Sequence, residues 1–246
     1  MSTHDQPPRP AGGTIRSAAR PALRLAALAV LAAATLPAQT VIASSTFDTN
    51  AEGWMSADLF GRACNSPAPP SHIATGGNPG GFIRSGDVCS TSAFLAPSAY
   101  LGDRSATYGG ELRFSLRALE DPAGLKNLMS LSGGGLTVMY QSNSQPNPNT
   151  WTDFIVSFTA GTWRIVTGST VGAVATETQL RSILADLTAL RIQADWNTGA
   201  DRSDLDNVSL ISPTVTPGVV PEPSTYALLG TGLAGLATVA RRRRRA

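Results

Sequence analysis

Glu111-Leu112-Arg113-Phe114-Ser115-Leu116-Arg117 alternates without a break. Leu112, Phe114 and Leu116 fall on one side and polar residues on the other, the period of two that marks a half-buried β-strand. Downstream, Gly133-Gly134-Gly135 turns the chain into Leu136-Thr137-Val138-Met139-Tyr140, a second strand. Residues 151–158 place Phe154, Val156 and Phe158 on one face, and Leu190, Ile192, Ala194 and Trp196 alternate in a fourth strand. Leu205, Val208 and Leu210 mark a last strand whose spacing implies a bulge. One helix interrupts them: Thr176-Glu177-Thr178-Gln179 has the form of a capping box, and Leu180, Ile183, Leu184 and Leu187 follow at helical spacing. Short strands separated by Gly and Pro turns predict an all-β antiparallel sandwich with one short helix.

The two ends of the 246-residue chain have a different grammar. Arg20 and Arg24 flank the start of an apolar run from Leu25 to Leu36, the pattern of a secretory signal peptide over residues 1–43, with cleavage after Ala38 or Ala43. At the other end, Val220-Pro221-Glu222-Pro223-Ser224 precedes sixteen uncharged residues, Thr225 to Ala240, and then Arg241, Arg242, Arg243, Arg244 and Arg245. The prolines should hold the chain extended, so that a helix starts after them with Ser224 or Thr225 as its N-cap. Sixteen residues at about 1.5 Å each give roughly 24 Å of helix, a little short of a bilayer core of about 30 Å, with the arginines able to snorkel. A transmembrane helix in the inner membrane is therefore expected, its basic end in the cytoplasm. Gly230-Thr231-Gly232-Leu233-Ala234-Gly235 has the letters of a dinucleotide-binding turn but no βαβ unit around it.

This tail resembles a PEP-CTERM sorting signal, with its motif, apolar span and basic stop in order over residues 220–246. The resemblance implies an exported protein of a Gram-negative bacterium, sorted to the envelope by a membrane-embedded exosortase and associated with exopolysaccharide and biofilm. It speaks to address and not to activity.

Between the ends lie a domain at 44–212 and a Pro/Thr/Gly linker at 213–219. The whole chain carries a formal charge of +2, but four arginines and Asp5 belong to the signal region, and five arginines and Glu222 to the tail. The remaining 10 basic and 15 acidic residues give the mature part a net charge of −5, which argues against nucleic-acid binding. Cys64 and Cys89 are the only cysteines; in an exported chain they read as one disulfide, the alternative being two metal thiolates without further partners. Histidine is confined to His4 and His72, and His72 falls in a Pro/Gly-rich stretch that reads as a solvated loop, so triads and histidine zinc sites have little to draw on. A catalytic pair among the carboxylates is not marked by spacing. Trp54, Trp151, Trp163 and Trp196 read as core before sugar platforms.

Residues 45–212 also resemble a laminin B domain (laminin domain IV). The matching pieces are Phe47-Asp48 with Gly53-Trp54, Phe94-Leu95-Ala96-Pro97, Tyr100-Leu101-Gly102-Asp103, Tyr108-Gly109-Gly110 with Leu112-Arg113-Phe114, Trp151, and Leu205-Asp206-Asn207-Val208. The Cys64–Cys89 segment lies outside the expected pattern. The resemblance implies a jelly-roll sandwich akin to carbohydrate-binding modules. Such modules often hold a structural calcium beside the last strand, and Asp48, Glu52, Asp206 and Asn207 are the candidate ligands; a simple turn or bulge at Asp206-Asn207 is the alternative. The expectation is a non-enzymatic matrix protein that binds a neutral or calcium-bridged polysaccharide, or other matrix proteins. A polysaccharide-degrading enzyme and a purely structural envelope protein are the rivals.

Overall fold

A computed structural model describes residues 39–64, 68–124, 126–214 and 223–244. Thirteen strands run in chain order: β1 Val41–Ser45, β2 Met55–Asp58, β3 Ser71–Ile73, β4 Phe82–Ser85, β5 Ser92–Leu95, β6 Glu111–Ala118, β7 Asn127–Gly133, β8 Leu136–Gln141, β9 Thr152–Ser157, β10 Trp163–Thr167, β11 Thr170–Val174, β12 Leu187–Gln193 and β13 Ser203–Ile211. Helix α1 is Glu177–Ala185 and helix α2 is Pro223–Arg243. The strands form two antiparallel sheets. The first has the order β3-β4-β13-β6-β9, with β1 also pairing β13; the second has the order β11-β10-β8-β7-β12-β5-β2. The expected sandwich with one short internal helix is the architecture found.

The alternation of β6 does what its sequence requires. Leu112, Phe114 and Leu116 are all buried, and the strand sits between β13 and β9 in the first sheet. Phe114 stacks on its cross-strand partner Phe154 at 5.6 Å. Facing them, the second sheet contributes Phe94, Leu131, Val138, Leu190 and Ile192 to the same core. The strand β13 is long enough to pair twice on one side, with β4 through Ser203–Leu205 and with β1 through Val208–Ile211. Its register shifts between Asp206 and Ser209, the expected bulge, with Asn207 at φ 52°. A knot of aromatics closes this end of the core. Trp54 packs edge-on to Phe47 and Tyr100, and its Nε1–H donates to Ser45 Oγ at 3.0 Å. The Tyr100 hydroxyl reaches Ser45 Oγ and the Val208 carbonyl, and burial raises its pKa.

Four sequence expectations change. Leu187 is not on the helix but opens β12: Asp186 leaves helical geometry, and Leu187 pairs with Gly133. The capping box at Thr176 and Gln179 forms as read, with Leu180, Ile183 and Leu184 buried. His72 is no loop residue; it lies half-buried in β3 with Nε2 2.8 Å from the Phe47 carbonyl oxygen. The tail helix begins at Pro223, not after it, because proline at a first helical position forfeits only an N–H that has no partner anyway. Val220, Pro221, Glu222 and Arg245 lie outside the described residues, as do residues 1–38 of the expected signal peptide 1–43. Arg241, Arg242 and Arg243 occupy the last turn, where cations favour the helix dipole. No helix among the described residues is long and apolar enough to cross a membrane, contrary to the transmembrane expectation. Three glycines and Thr231 and Thr238 dilute the leucines of this run.

Candidate binding site on the outer face of the second sheet

Because strand residues alternate, the second sheet has a face turned away from the core. Phe94, Leu190, Ile192 and Val138 point inward, so Ala93, Arg191, Gln193 and Met139 point out. On that outer face Leu59, Ala93 and Met139 form a small apolar cluster of their own, with Phe60, Val166 and Val171 against it. The segment after β2 thus folds over the sheet. Ser130 Oγ, on the outer side of β7, donates to the Leu59 carbonyl at 2.6 Å and fixes it there.

One buried carboxylate shapes this segment. Asp58 Oδ1 accepts from the backbone N–H of Phe60 at 3.0 Å and of Arg62 at 3.2 Å, and from Arg62 Nε at 3.0 Å. Asp58 Oδ2 accepts from Arg62 Nη2 at 2.7 Å, and that nitrogen also donates to Thr91 Oγ1 at 3.1 Å. Gly61 takes a positive φ of 79° within the turn. Cys64 then bonds Cys89, with Cα atoms 5.1 Å apart, so the cysteines are a disulfide as expected. The segment is held at Asp58, at Leu59 and at Cys64.

Two cavities open on either side of it. The first, of about 380 Å³, is walled by Phe60, Asp87, Asn127, Gln193, Asp195 and Asn197, and by no basic side chain. Two buried oxygens in and behind its wall have no donor. Gln193 is 1% exposed, gives its amide Nε2–H to the Asp195 carbonyl, and leaves Oε1 without a partner. Behind the wall, Asp201 Oδ2 accepts from the N–H groups of Trp196 and Asn197, while its Oδ1 has none. Burial, and then the charges of Asp201 and Asp87, push the Asp195 carboxyl up to about 6. Burial also raises Asp201. The second cavity, of about 300 Å³, is lined by Met55, Ala57, Asp58, Arg62, Leu95 and Arg191 among others.

The residues singled out in the sequence lie elsewhere. Asp48, Glu52, Asp206 and Asn207 do converge at one corner of the first sheet: the charges of Asp48 and Glu52 are felt by Asp206, whose pKa burial raises. But Asp206 spends both oxygens on the N–H groups of Asn78 and Asn207, at 2.6 and 2.7 Å. Glu52 Oε1 likewise accepts from Thr46 and Phe47. Among the described residues, no three or more His, Cys, Asp or Glu are grouped so as to hold a metal ion. Trp54, Trp163 and Trp196 are buried, as read; Trp151 is half-buried against Phe82 at 5.6 Å, under the Arg117 guanidinium. The cavity residues were not picked out in the sequence. The signal for them is the loop Asp195-Trp196-Asn197-Thr198-Gly199-Ala200-Asp201, where acid, amide and glycine replace the alternation of β12.

With fold and cavities in view, known proteins can be compared. The laminin B (Domain IV) family pattern matches residues 93–222, and a PEP-CTERM protein-sorting motif matches residues 219–245. This chain belongs to the laminin B (Domain IV) family. Among relatives of this laminin B chain is the mouse basement membrane-specific heparan sulfate proteoglycan core protein, 30% identical over 118 residues, which are 46% of this chain and 3% of that protein. Human laminin subunit alpha-3 is 26% identical over 125 residues, 49% of this chain and 4% of the subunit. The chain therefore spans only a few per cent of these relatives' length. The L4b domain of human laminin alpha-2 shares the fold, with a TM-score of 0.55 at 14% identity, over 69% of this chain and 96% of that one. The tail's sorting motif marks the chain for export and envelope sorting.

Proposed function

We propose that this is a non-catalytic extracellular matrix protein of a Gram-negative bacterium, which binds polysaccharide through the outer face of its second sheet. In this reading an exosortase in the inner membrane processes the tail, and the partners outside are exopolysaccharide and other matrix proteins. The observation that carries it is the cavity beside Phe60, which has no basic side chain and has a buried amide oxygen without a partner in its wall. Sugar hydroxyls are donors; a buried acceptor such as Gln193 Oε1 costs about 1–3 kcal/mol while unpaired and regains it when a hydroxyl arrives. An aromatic edge with amide and carboxylate oxygens around it is the composition such recognition asks for. The test is a glycan array probed with the full exported chain, beside a Gln193→Ala variant. Retention of polysaccharide spots by the wild type and their loss in the variant is expected; no spots would remove the proposal.

One observation favours a second reading. A carboxyl held at about 6, as Asp195 is, suits a general acid in glycoside hydrolysis. Asp201, however, lies behind the wall with one oxygen committed to backbone N–H groups. Release of reducing ends from a bound glycan, abolished by Asp195→Asn, would replace binding by catalysis.

A further inference from the structure

Arg191 lies in the middle of the second sheet, in one cross-strand row with Leu95 and Met55. Its Nη1 donates to Ser132 Oγ at 2.9 Å, and its Nε has no partner. Six other arginines among the described residues make ion pairs: Arg62, Arg84, Arg113, Arg117, Arg181 and Arg202. Arg191 makes none, although burial disfavours its charge and lowers its pKa. The nearest carboxylate, Asp58, is committed to Arg62. The guanidinium is also held closely. A methyl group at Gly61 would come within 3.2 Å of its Nη2, so the Asp58–Arg62 turn fixes the fork from above. Met55, Ala57 and Leu95 give the cavity an apolar side beside the Asp58–Arg62 pair, and that side strengthens a charge-assisted hydrogen bond made against it.

Gln193 and Arg191 are two residues apart on β12 and face the same way. At about 3.3 Å per residue their Cα atoms are roughly 7 Å apart. One therefore looks into each cavity, with the Leu59–Cys64 segment rising between them. The first cavity is acidic and has no basic side chain; the second holds a guanidinium whose neighbouring carboxylate, Asp58, is already ion-paired with Arg62. We infer that the second cavity is an anion subsite in which Arg191 takes the carboxylate of a uronic acid residue, in a chain whose neighbouring sugar fills the Gln193 cavity. This rests on the reading of the Gln193 cavity as a saccharide site, and it makes the preferred polysaccharide an acidic one. The net charge of the mature domain does not oppose it at this range. Long-range repulsion is screened within about 8 Å at physiological salt, whereas the guanidinium meets the carboxylate in direct contact.

The test uses two oligosaccharides of the same linkage and length, one of glucose and one with its primary alcohols oxidised to glucuronate. Binding of both to the full exported chain is measured by calorimetry, for the wild type, Arg191→Gln and Arg191→Lys, with the melting temperature of each variant as a check on folding. The wild type should bind the oxidised chain at least ~10-fold tighter, the ratio a single charge-assisted contact supplies. Arg191→Gln should erase the preference and keep the neutral affinity; Arg191→Lys should restore part of it. Equal affinities in the wild type, or a preference that survives Arg191→Gln, would overturn the anion subsite and leave the saccharide site standing. Failure of both oligosaccharides to bind would overturn both. Loss of the oxidised ligand from Arg191→Gln through misfolding would show as a lost neutral ligand and a lowered melting temperature, and Arg191→Lys, which keeps the charge, then decides: a retained preference supports the subsite and an absent one overturns it.

Discussion

At the scale of single residues, the strongest demands come from carboxylates the sequence could not rank. Asp204 is fully buried and takes Arg84 Nε at 2.6 Å on one oxygen and Arg117 Nη2 at 2.7 Å on the other. Removing its charge would leave two guanidinium groups facing a neutral amide, so Asp204→Asn should cost about 3 kcal/mol in urea unfolding. A loss below ~1 kcal/mol would mean that solvent reaches the pair. Asp195 behaves oppositely. Its folded pKa, about 6, lies above the ordinary 3.8, so the fold binds its proton more tightly than the unfolded chain does. Its contribution is fully present below the unfolded value and is lost as pH rises through about 6. Asp195→Asn should therefore stabilise the protein at pH 8, by on the order of 1 kcal/mol after solvent screening, and change little at pH 3.5. Denaturation midpoints at the two pH values check this; an equal effect at both would contradict it. In the sequence neither Asp204 nor Asp195 stood out among the fifteen carboxylates of the mature part, because nothing in a one-dimensional pattern says which oxygens three-dimensional packing will dry.

At the scale of elements, strands that follow the period of two were legible: β6, β8, β9 and β13 lie where alternation placed them, whereas β12, read from Leu190 to Trp196, runs Leu187–Gln193. Missed were β1 to β5, β7, β10 and β11, most of them of three to five residues, where serines, glycines and half-buried positions blur the alternation. Leu187 was assigned to the helix because one leucine satisfies both a helical spacing and the start of β12; tertiary pairing with Gly133 decided it. The segment between Cys64 and Cys89 carries two expectations of its own. The cross-link spans a sequence separation of 25, which in the loop-entropy model stabilises by about 3–4 kcal/mol. Non-reduced, alkylated protein should show no free thiol by mass, and reduction should lower the melting temperature. Within the segment, Gly77 sits where a Cβ would lie 2.4 Å from the Gly81 carbonyl oxygen and 2.7 Å from Asp206 Oδ2. Backbone cannot yield there as a flexible side chain can, so Gly77→Ala should cost about 2 kcal/mol, read from thermal unfolding. Gly161→Ala, at a position with open space but a φ of 94°, is the converse case, in which any loss reports backbone strain without crowding.

At the scale of the whole molecule, the address and the sandwich make opposite demands on solvent. The sandwich hides its large side chains, with Trp54, Trp163, Trp196, Phe47 and Phe94 each no more than 1% exposed. The tail helix does the reverse: Leu228, Leu229, Leu233, Leu236 and Val239 are all more than half exposed. Each would gain about 1.5–3 kcal/mol from an apolar environment, yet the helix, diluted by glycine and threonine and ending in arginines, is not long and apolar enough to cross a membrane. A segment that is costly in water and marginal in lipid is suited to being held for a time and then removed. The sorting motif at 219–245 begins before the helix, with Pro223 already its first residue, so a cut near Pro221–Thr225 would detach the apolar run and the arginines together. The mature protein recovered from the surface of its host should therefore end near residue 224 and lack Arg241 to Arg245. Mass spectrometry of its C-terminal peptide checks this. Recovery of the intact tail from cell-surface material would show that the motif anchors the chain without being cut.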